Sequence, residues 1–227
     1  MPAIGGLRIC SSPLHEKLVM KIEIWSDVVC PWCYIGKRRL EAALDDFDGD
    51  VDIRWRSFEL DPDAPQTFDA PLDEILAQKY RTSLERARQM IARITDTAAD
   101  EGLELDLENA RGGNTLDAHR LIHFAETAGL QSGVKERLFS AYMTEGRPIS
   151  DRDELAAIAA EAGLDETDVH AMFDSDDFVD DVRRDEAEAR RLGVRGVPFF
   201  LIDATHSLSG AQPTDVLKRA LQEAASH

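Results

Sequence analysis

Two cysteines three positions apart, Cys30 and Cys33, stand where a strand pattern gives way to a helix pattern, and that junction constrains the chain most. Upstream, Lys21–Ser26 alternates apolar and polar residues and is rich in β-branched and aromatic types, the signature of a strand. From Pro31 the period becomes helical, with Ile35, Leu40, Ala43 and Leu44 on the inward face. Pro31 suits a first helical turn, where a missing N–H costs nothing. The first sulfur then sits at an exposed helix N-terminus, where unpaired N–H groups and the helix dipole favour negative charge. That makes Cys30 the attacking thiolate, with Cys33, one turn on, as the resolving thiol. The competing reading, half of a structural zinc site, needs two further ligands. Cys10 is the only other cysteine, and His119 and His123 have no partnering cysteines, so no metal site is expected.

The rest of the chain frames this junction. Asp48-Gly49-Asp50 is a turn signal, and Val51–Phe58 alternates again, predicting a second strand parallel to the first through a right-handed crossover. Pro62, Pro65 and Pro71 break the pattern. Helical periodicity then predicts helices at Leu72–Asp100, Thr115–Ala128, Val134–Thr144, Asp151–Ala162 and Asp177–Leu192, with Asn114, Ser150 and Asp165 as N-caps. Strand character returns at Val197–Ile202 and His206–Ser209, turned by Asp203-Ala204-Thr205, before a helix over Pro213–Ala225. This order predicts an α/β thioredoxin-like fold with a large all-helical insertion. The catalytic domain would comprise 20–61 and 195–227 and the insertion 62–194, with 1–19 a loose N-terminal extension. In this topology Val197-Pro198 is placed to be a cis bond against the dithiol. The cis bend would expose the Val197 backbone N–H and C=O to a substrate strand.

Charge narrows the partners. A formal net charge of -18 opposes binding to nucleic acid or anionic lipid, and no apolar run approaches a membrane span. Residues 1–19 carry Gly5-Gly6, Arg8, Pro13, Glu16 and Lys17 and lack the apolar core of a signal peptide. The expectation is therefore a cytoplasmic protein, with Met20 as an alternative start.

Ser26-Asp27-Val28-Val29-Cys30-Pro31-Trp32-Cys33-Tyr34-Ile35-Gly36 resembles the active-site segment of the FrnE-like branch of the DsbA family. Asn114-Thr115 with Ala118-His119-Arg120, then Gly196-Val197-Pro198-Phe199-Phe200 and Ser209-Gly210-Ala211-Gln212-Pro213, resemble it in order and spacing. The resemblance implies a thiol–disulfide oxidoreductase acting on protein or small-molecule thiols and disulfides. It implies Cys30 as nucleophile, Cys33 as resolving thiol and Pro198 as cis proline, with no resident cofactor. Strongly oxidising members carry His between the cysteines; this chain has Trp32, so a less oxidising couple is expected. Kappa-class glutathione transferases and chromene-carboxylate isomerases share the architecture with Ser in place of the first cysteine, which leaves glutathione open as a co-substrate. A non-enzymatic chaperone or zinc-binding module is the third alternative.

Weaker signals complete the reading. Glu23 precedes Cys30 in the first strand and is a candidate for proton transfer from the resolving thiol, set against an exposed Glu23. Trp32 and Val197 are candidate substrate-binding positions. Lys37, Arg38 and Arg39 read as a solvated helix face. His119 and Arg120 read as a structural tie between the insertion and the catalytic domain, rather than His119 as a base.

Overall fold

The computed structural model describes residues 19–226, so Cys10 and nearly all of the proposed extension lie outside the described residues. Strand β1 (Met20–Ser26), helix α1 (Pro31–Leu44) and strand β2 (Val51–Ser57) form the opening βαβ unit. β1 and β2 are parallel, with Ile22 opposite Ile53 and Ile24 opposite Trp55. Seven helices follow: α2 (Leu72–Lys79), α3 (Leu84–Asp100), α4 (Leu116–Thr127), α5 (Gln131–Met143), α6 (Arg152–Glu161), α7 (Glu166–Phe173) and α8 (Val179–Arg191). The chain closes with β3 (Phe199–Ile202), β4 (His206–Ser209) and α9 (Thr214–Ala225). The sheet order is β2-β1-β3-β4, with β3 antiparallel to both β1 and β4. This is the thioredoxin-like order expected from the sequence, with helices inserted between β2 and β3.

Strand alternation decides what each face of the sheet buries. Ile22 and Ile24 of β1, with Phe200 and Ile202 of β3, join the main core alongside Ile35 and Leu40 of α1 and Leu217 and Leu221 of α9. Trp25 points the other way and packs with Ala189 of α8 and Val194, flanked by Phe199 and Leu201. Helix α8, which the sequence reading placed in the insertion, therefore covers the second face of the sheet. The Trp25 indole N–H donates to the Asp185 carbonyl at 3.0 Å, and the Ser57 N–H to the Asp185 carboxylate at 2.9 Å.

Three local differences from the expected helices have physical causes. The long helix expected over Leu72–Asp100 is broken at Arg81, which adopts a left-handed backbone (φ 50), and α3 restarts with Ser83 capping the Arg86 N–H. Asp165 does cap a helix, α7, for which no element was expected; it accepts from the N–H groups of Thr167 and Asp168. At α6 the cap is Asp151 rather than Ser150, while Asn114 supports the start of α4 by accepting from the Leu116 N–H at 2.9 Å. Among the described residues no helix is long and apolar enough to cross a membrane.

Candidate active site at the Cys30–Cys33 dithiol

β1 ends at Ser26, and a tight turn, closed by the Cys30 N–H on the Asp27 carbonyl at 3.2 Å, carries the chain into α1. Cys30 is the N-cap of α1, and the Cys33 N–H donates to its carbonyl at 3.0 Å, so the two thiols lie one turn apart. Both cysteines are free thiols and both are buried, Cys30 5% and Cys33 1% exposed. The first sulfur is thus less open than a bare helix N-terminus implies. Trp32, between them, is 39% exposed.

The Val197-Pro198 bond is cis, and Cys30 Sγ lies 3.6 Å from the Val197 carbonyl oxygen. Two contacts fix that loop. The Gly210 N–H donates to the Pro198 carbonyl at 2.7 Å, and Arg39 of α1 donates to the Ala211 carbonyl at 2.7 Å. Gly36 explains how closely α1 approaches: a Cβ there would stand 3.0 Å from Pro198 Cγ and 3.3 Å from the Phe200 ring.

Three ionisable residues cluster beside the dithiol, Asp27 from the turn between β1 and α1, His119 from α4 and Lys135 from α5. Asp27 is buried and accepts from the Leu60 N–H at 2.7 Å. His119 of α4 brings Nε2 to 3.4 Å from Asp27 Oδ1 without hydrogen-bond geometry, so their attraction is electrostatic. Lys135 of α5 is 0% exposed, its ammonium 4.8 Å from the Phe139 ring centroid and 5.6 Å from that of Trp55. Burial pushes the Asp27 carboxyl up, but His119, the Leu60 N–H and Lys135 outweigh it and hold Asp27 below its ordinary value. Burial likewise pushes His119 down, against the pull of Asp27, and favours the neutral ring. Lys135 is pushed down to about 8 by burial, opposed by Cys33, Asp27 and Cys30. Cys33 is raised well above the ordinary thiol range by burial and by neighbouring Cys30, while Lys135 and the Asp27 backbone pull the other way.

The structure moves several sequence readings. Glu23 does not reach the dithiol: alternation turns it to the α8 side of the sheet, where it accepts from Arg56 Nε at 2.7 Å. Asp27, four residues on and past the end of the strand, is the buried acid instead. Lys37, Arg38 and Arg39 are not a solvated face. Lys37 pairs with Glu136 of α5 at 2.7 Å, Arg38 pairs with the same carboxylate, and Arg39 pairs with Glu101 at 2.6 Å. Arg120 acts structurally within the insertion rather than as a tie to the catalytic domain, donating to the carbonyls of Met172, Ser175 and Asp177 at 2.6–2.9 Å. The sequence analysis missed Lys135, although it stands at i with Leu138, Phe139 and Tyr142 at i+3, i+4 and i+7, an apolar-face position where a lysine is anomalous.

Comparison with known proteins places this geometry in a family. Residues 21–222 match the model of the DSBA-like thioredoxin domain. The probable DsbA oxidoreductase SCO1869 from Streptomyces coelicolor is 39% identical, with a TM-score of 0.87 over 92% of this chain and 91% of that one. The uncharacterized protein YwbO of Bacillus subtilis (strain 168) is 27% identical over 208 residues, 91% of this chain and 98% of that protein. The cytosolic disulfide reductase DsbM from Pseudomonas aeruginosa, crystallised with GSH, shares the fold at 21% identity and a TM-score of 0.61, over 91% of this chain and 100% of that one.

Proposed function

Because the chain belongs to the DSBA-like thioredoxin domain family, we propose that it is a thiol–disulfide oxidoreductase working through Cys30 and Cys33. The observation that carries this reading is the placement of the two thiols: Cys30 at the N-cap of α1, against the cis Val197-Pro198 loop, with Cys33 one turn deeper. Orphan N–H groups at a helix start stabilise an anion, which suits Cys30 to attack.

The Cys30 thiolate attacks one sulfur of a substrate disulfide; that S–S bond breaks and one substrate thiolate leaves. Cys33 then loses its proton and attacks Cys30 Sγ, expelling the second substrate thiolate and closing the Cys30–Cys33 disulfide. Two electrons pass from the dithiol to the substrate. Burial makes the Cys33 proton the difficult one to remove, and the Lys135 ammonium is the charge that stabilises its thiolate. Val197 and Trp32 flank the reacting sulfur as the substrate-contacting positions, with Pro198 shaping the loop.

A redox titration against a glutathione buffer, read by tryptophan fluorescence with Cys30→Ser as control, tests the proposal. A single two-electron transition absent from the control is expected, and its midpoint sets the direction in which the protein moves electrons. Thiols that stay free at every ratio would sink it. Cys33→Ser is expected to accumulate a mixed disulfide on Cys30, seen by mass spectrometry.

A further inference from the structure

Cys30 and Trp32 line a cavity of about 200 Å³ that runs between the start of α1 and the helix pair α2–α3. Tyr80, 55% exposed, also borders it. The walls are apolar. Leu72, Ile75 and Leu76 lie at i, i+3 and i+4 of α2, the spacing of a helix face that packs on a core. Here Leu72 and Leu76 touch the edge of the main core and also line the cavity, and α2 has no fully buried residue. Ile94 of α3 and Leu107 complete the opposite side. Aliphatic surface is stabilised by leaving water, so three half-buried side chains around an open volume favour an apolar occupant.

Size and charge restrict that occupant. A cavity of about 150 Å³ lined by Leu, Ile and Phe holds benzene, so this one suits a single aromatic ring or branched alkyl group with its linking atoms. The charged side chains along its lining are few, Asp27, Asp61 and Lys79, and Asp27 is already answered by the buried Lys135, so the cavity offers a polyanionic ligand one cation, the exposed Lys79, on a chain at -18. A disulfide carrying several carboxylates, such as oxidised glutathione, loses hydration against the apolar wall with only that one lysine to replace it.

We infer that this cavity binds an apolar group attached to the sulfur that Cys30 attacks, and that the substrate class is small neutral aryl or branched-alkyl disulfides. The inference rests on the thiol–disulfide reading above. With R seated in the cavity, Cys30 forms a bond to the sulfur bearing that R, and the distal R–S⁻ departs and is protonated by solvent. Cys33 then displaces the bound R–S⁻, so one R–S–S–R is reduced to two R–SH as the dithiol is oxidised. A single turnover needs no other reductant.

The test uses the reduced full-length protein in stopped flow with dibenzyl disulfide, bis(2-hydroxyethyl) disulfide and oxidised glutathione at a fixed co-solvent fraction. Each rate is divided by that of dithiothreitol with the same disulfide, which removes intrinsic reactivity. Dibenzyl disulfide is expected to be preferred roughly tenfold or more, the scale on which apolar pockets discriminate. Toluene, which has no sulfur, is expected to reduce that preference by competing for the cavity. Leu76→Asn and the cavity-filling Ile94→Trp are expected to reduce it too. Should either variant fold poorly, toluene competition on the unaltered protein decides. Normalised rates equal within about twofold, well below the roughly tenfold that even one methylene is worth in an apolar pocket, or a preference that toluene leaves intact, would overturn the inference. So would a stronger preference for a disulfide-linked peptide with flanking Leu and Phe. If none of the disulfides oxidises the protein while all oxidise dithiothreitol, the thiol–disulfide reading itself fails.

Discussion

The two faces of the sheet each bury a cluster of acid, base and cation, and the clusters are built on opposite principles. Under α8, Asp185 accepts from Arg56 at 2.7 Å, from the Ser57 N–H at 2.9 Å and pairs with His123 at 3.1 Å, while Arg56 also holds Glu23. His123 is shared with the Ser57 hydroxyl at 3.0 Å. Charges here answer charges at hydrogen-bond distance, and the product is a clasp joining β2, α4 and α8. On the dithiol side, His119 approaches Asp27 without a hydrogen bond, and Lys135 rests its ammonium against two aromatic rings. The same residue types are therefore saturated in one cluster and not in the other, and incomplete pairing in a low dielectric moves proton affinities.

The sharpest way to break this contrast is Asp185→Ala. Removing the shared acceptor leaves the half-buried Arg56 to Glu23 alone and the buried Ser57 N–H and His123 without that carboxylate, and stability is expected to fall by about 3 kcal/mol. Denaturant unfolding measures the loss, and the dithiol midpoint should not move. A large midpoint shift would show that the clasp also tunes the active site.

Glu59 lies between the two clusters and tests the effect of incomplete pairing through pH. One of its carboxylate oxygens is buried without a hydrogen bond. Burial, aided by Glu186 and Asp27 against Arg183, pushes Glu59 up to about 7 from 4.5. Between those values the unfolded chain has released a proton that the folded protein keeps. Stability should therefore fall as pH rises through that window, by at most about 3 kcal/mol. Glu59→Gln is expected to flatten this part of the profile and to raise the melting temperature at pH 8 more than at pH 4.5. Parallel profiles for the two proteins would refute the assignment.

Lys135→Met asks whether the unsaturated cluster acts on Cys33. Each unit of upward shift in the Cys33 thiol removes about tenfold of its thiolate at a given pH. The mixed disulfide on Cys30 should live about tenfold longer in the variant at neutral pH, and the gap should close as pH rises. A lifetime unchanged across the pH range would reduce Lys135 to packing. The smallest effect is expected at Glu136. Burial raises its carboxyl, but Arg38, Lys37 and Tyr34 overcome that and hold it down to about 2. The contribution of this tie between α1 and α5 is present above pH 4.5 and lost as acid protonates it. Glu136→Gln should lower stability near pH 7 by about 1 kcal/mol or less and show little difference near pH 2.

Much of this molecule is legible in its residues. The strand–dithiol–helix junction, the parallel second strand and the late β–β–α segment follow from periods of two and 3.6 that are local properties of the chain. Breaks were harder to read. Nothing in the apolar spacing of Leu72–Asp100 marks the left-handed turn at Arg81, because the helical period resumes on the far side. Helix α7 escaped because eight residues carry too few periodic positions to stand out, although its Asp165 cap did.

At the active site the division falls between sequence neighbours and spatial ones. Cys30, Cys33 and the Val197-Pro198 dipeptide announce themselves by residue type and by position in the element order. Glu23 had the right type and a nearby number, yet strand alternation sends it to the other face of the sheet. Lys135 lies more than a hundred residues from the thiol it influences, and Asp27 sits one residue beyond the strand that would have set its direction. Local pattern determined which face of each element is apolar and where the dithiol falls on a helix. Only packing decided what each face is buried against, since the energy of a buried charge depends on neighbours that the chain brings in from distant elements.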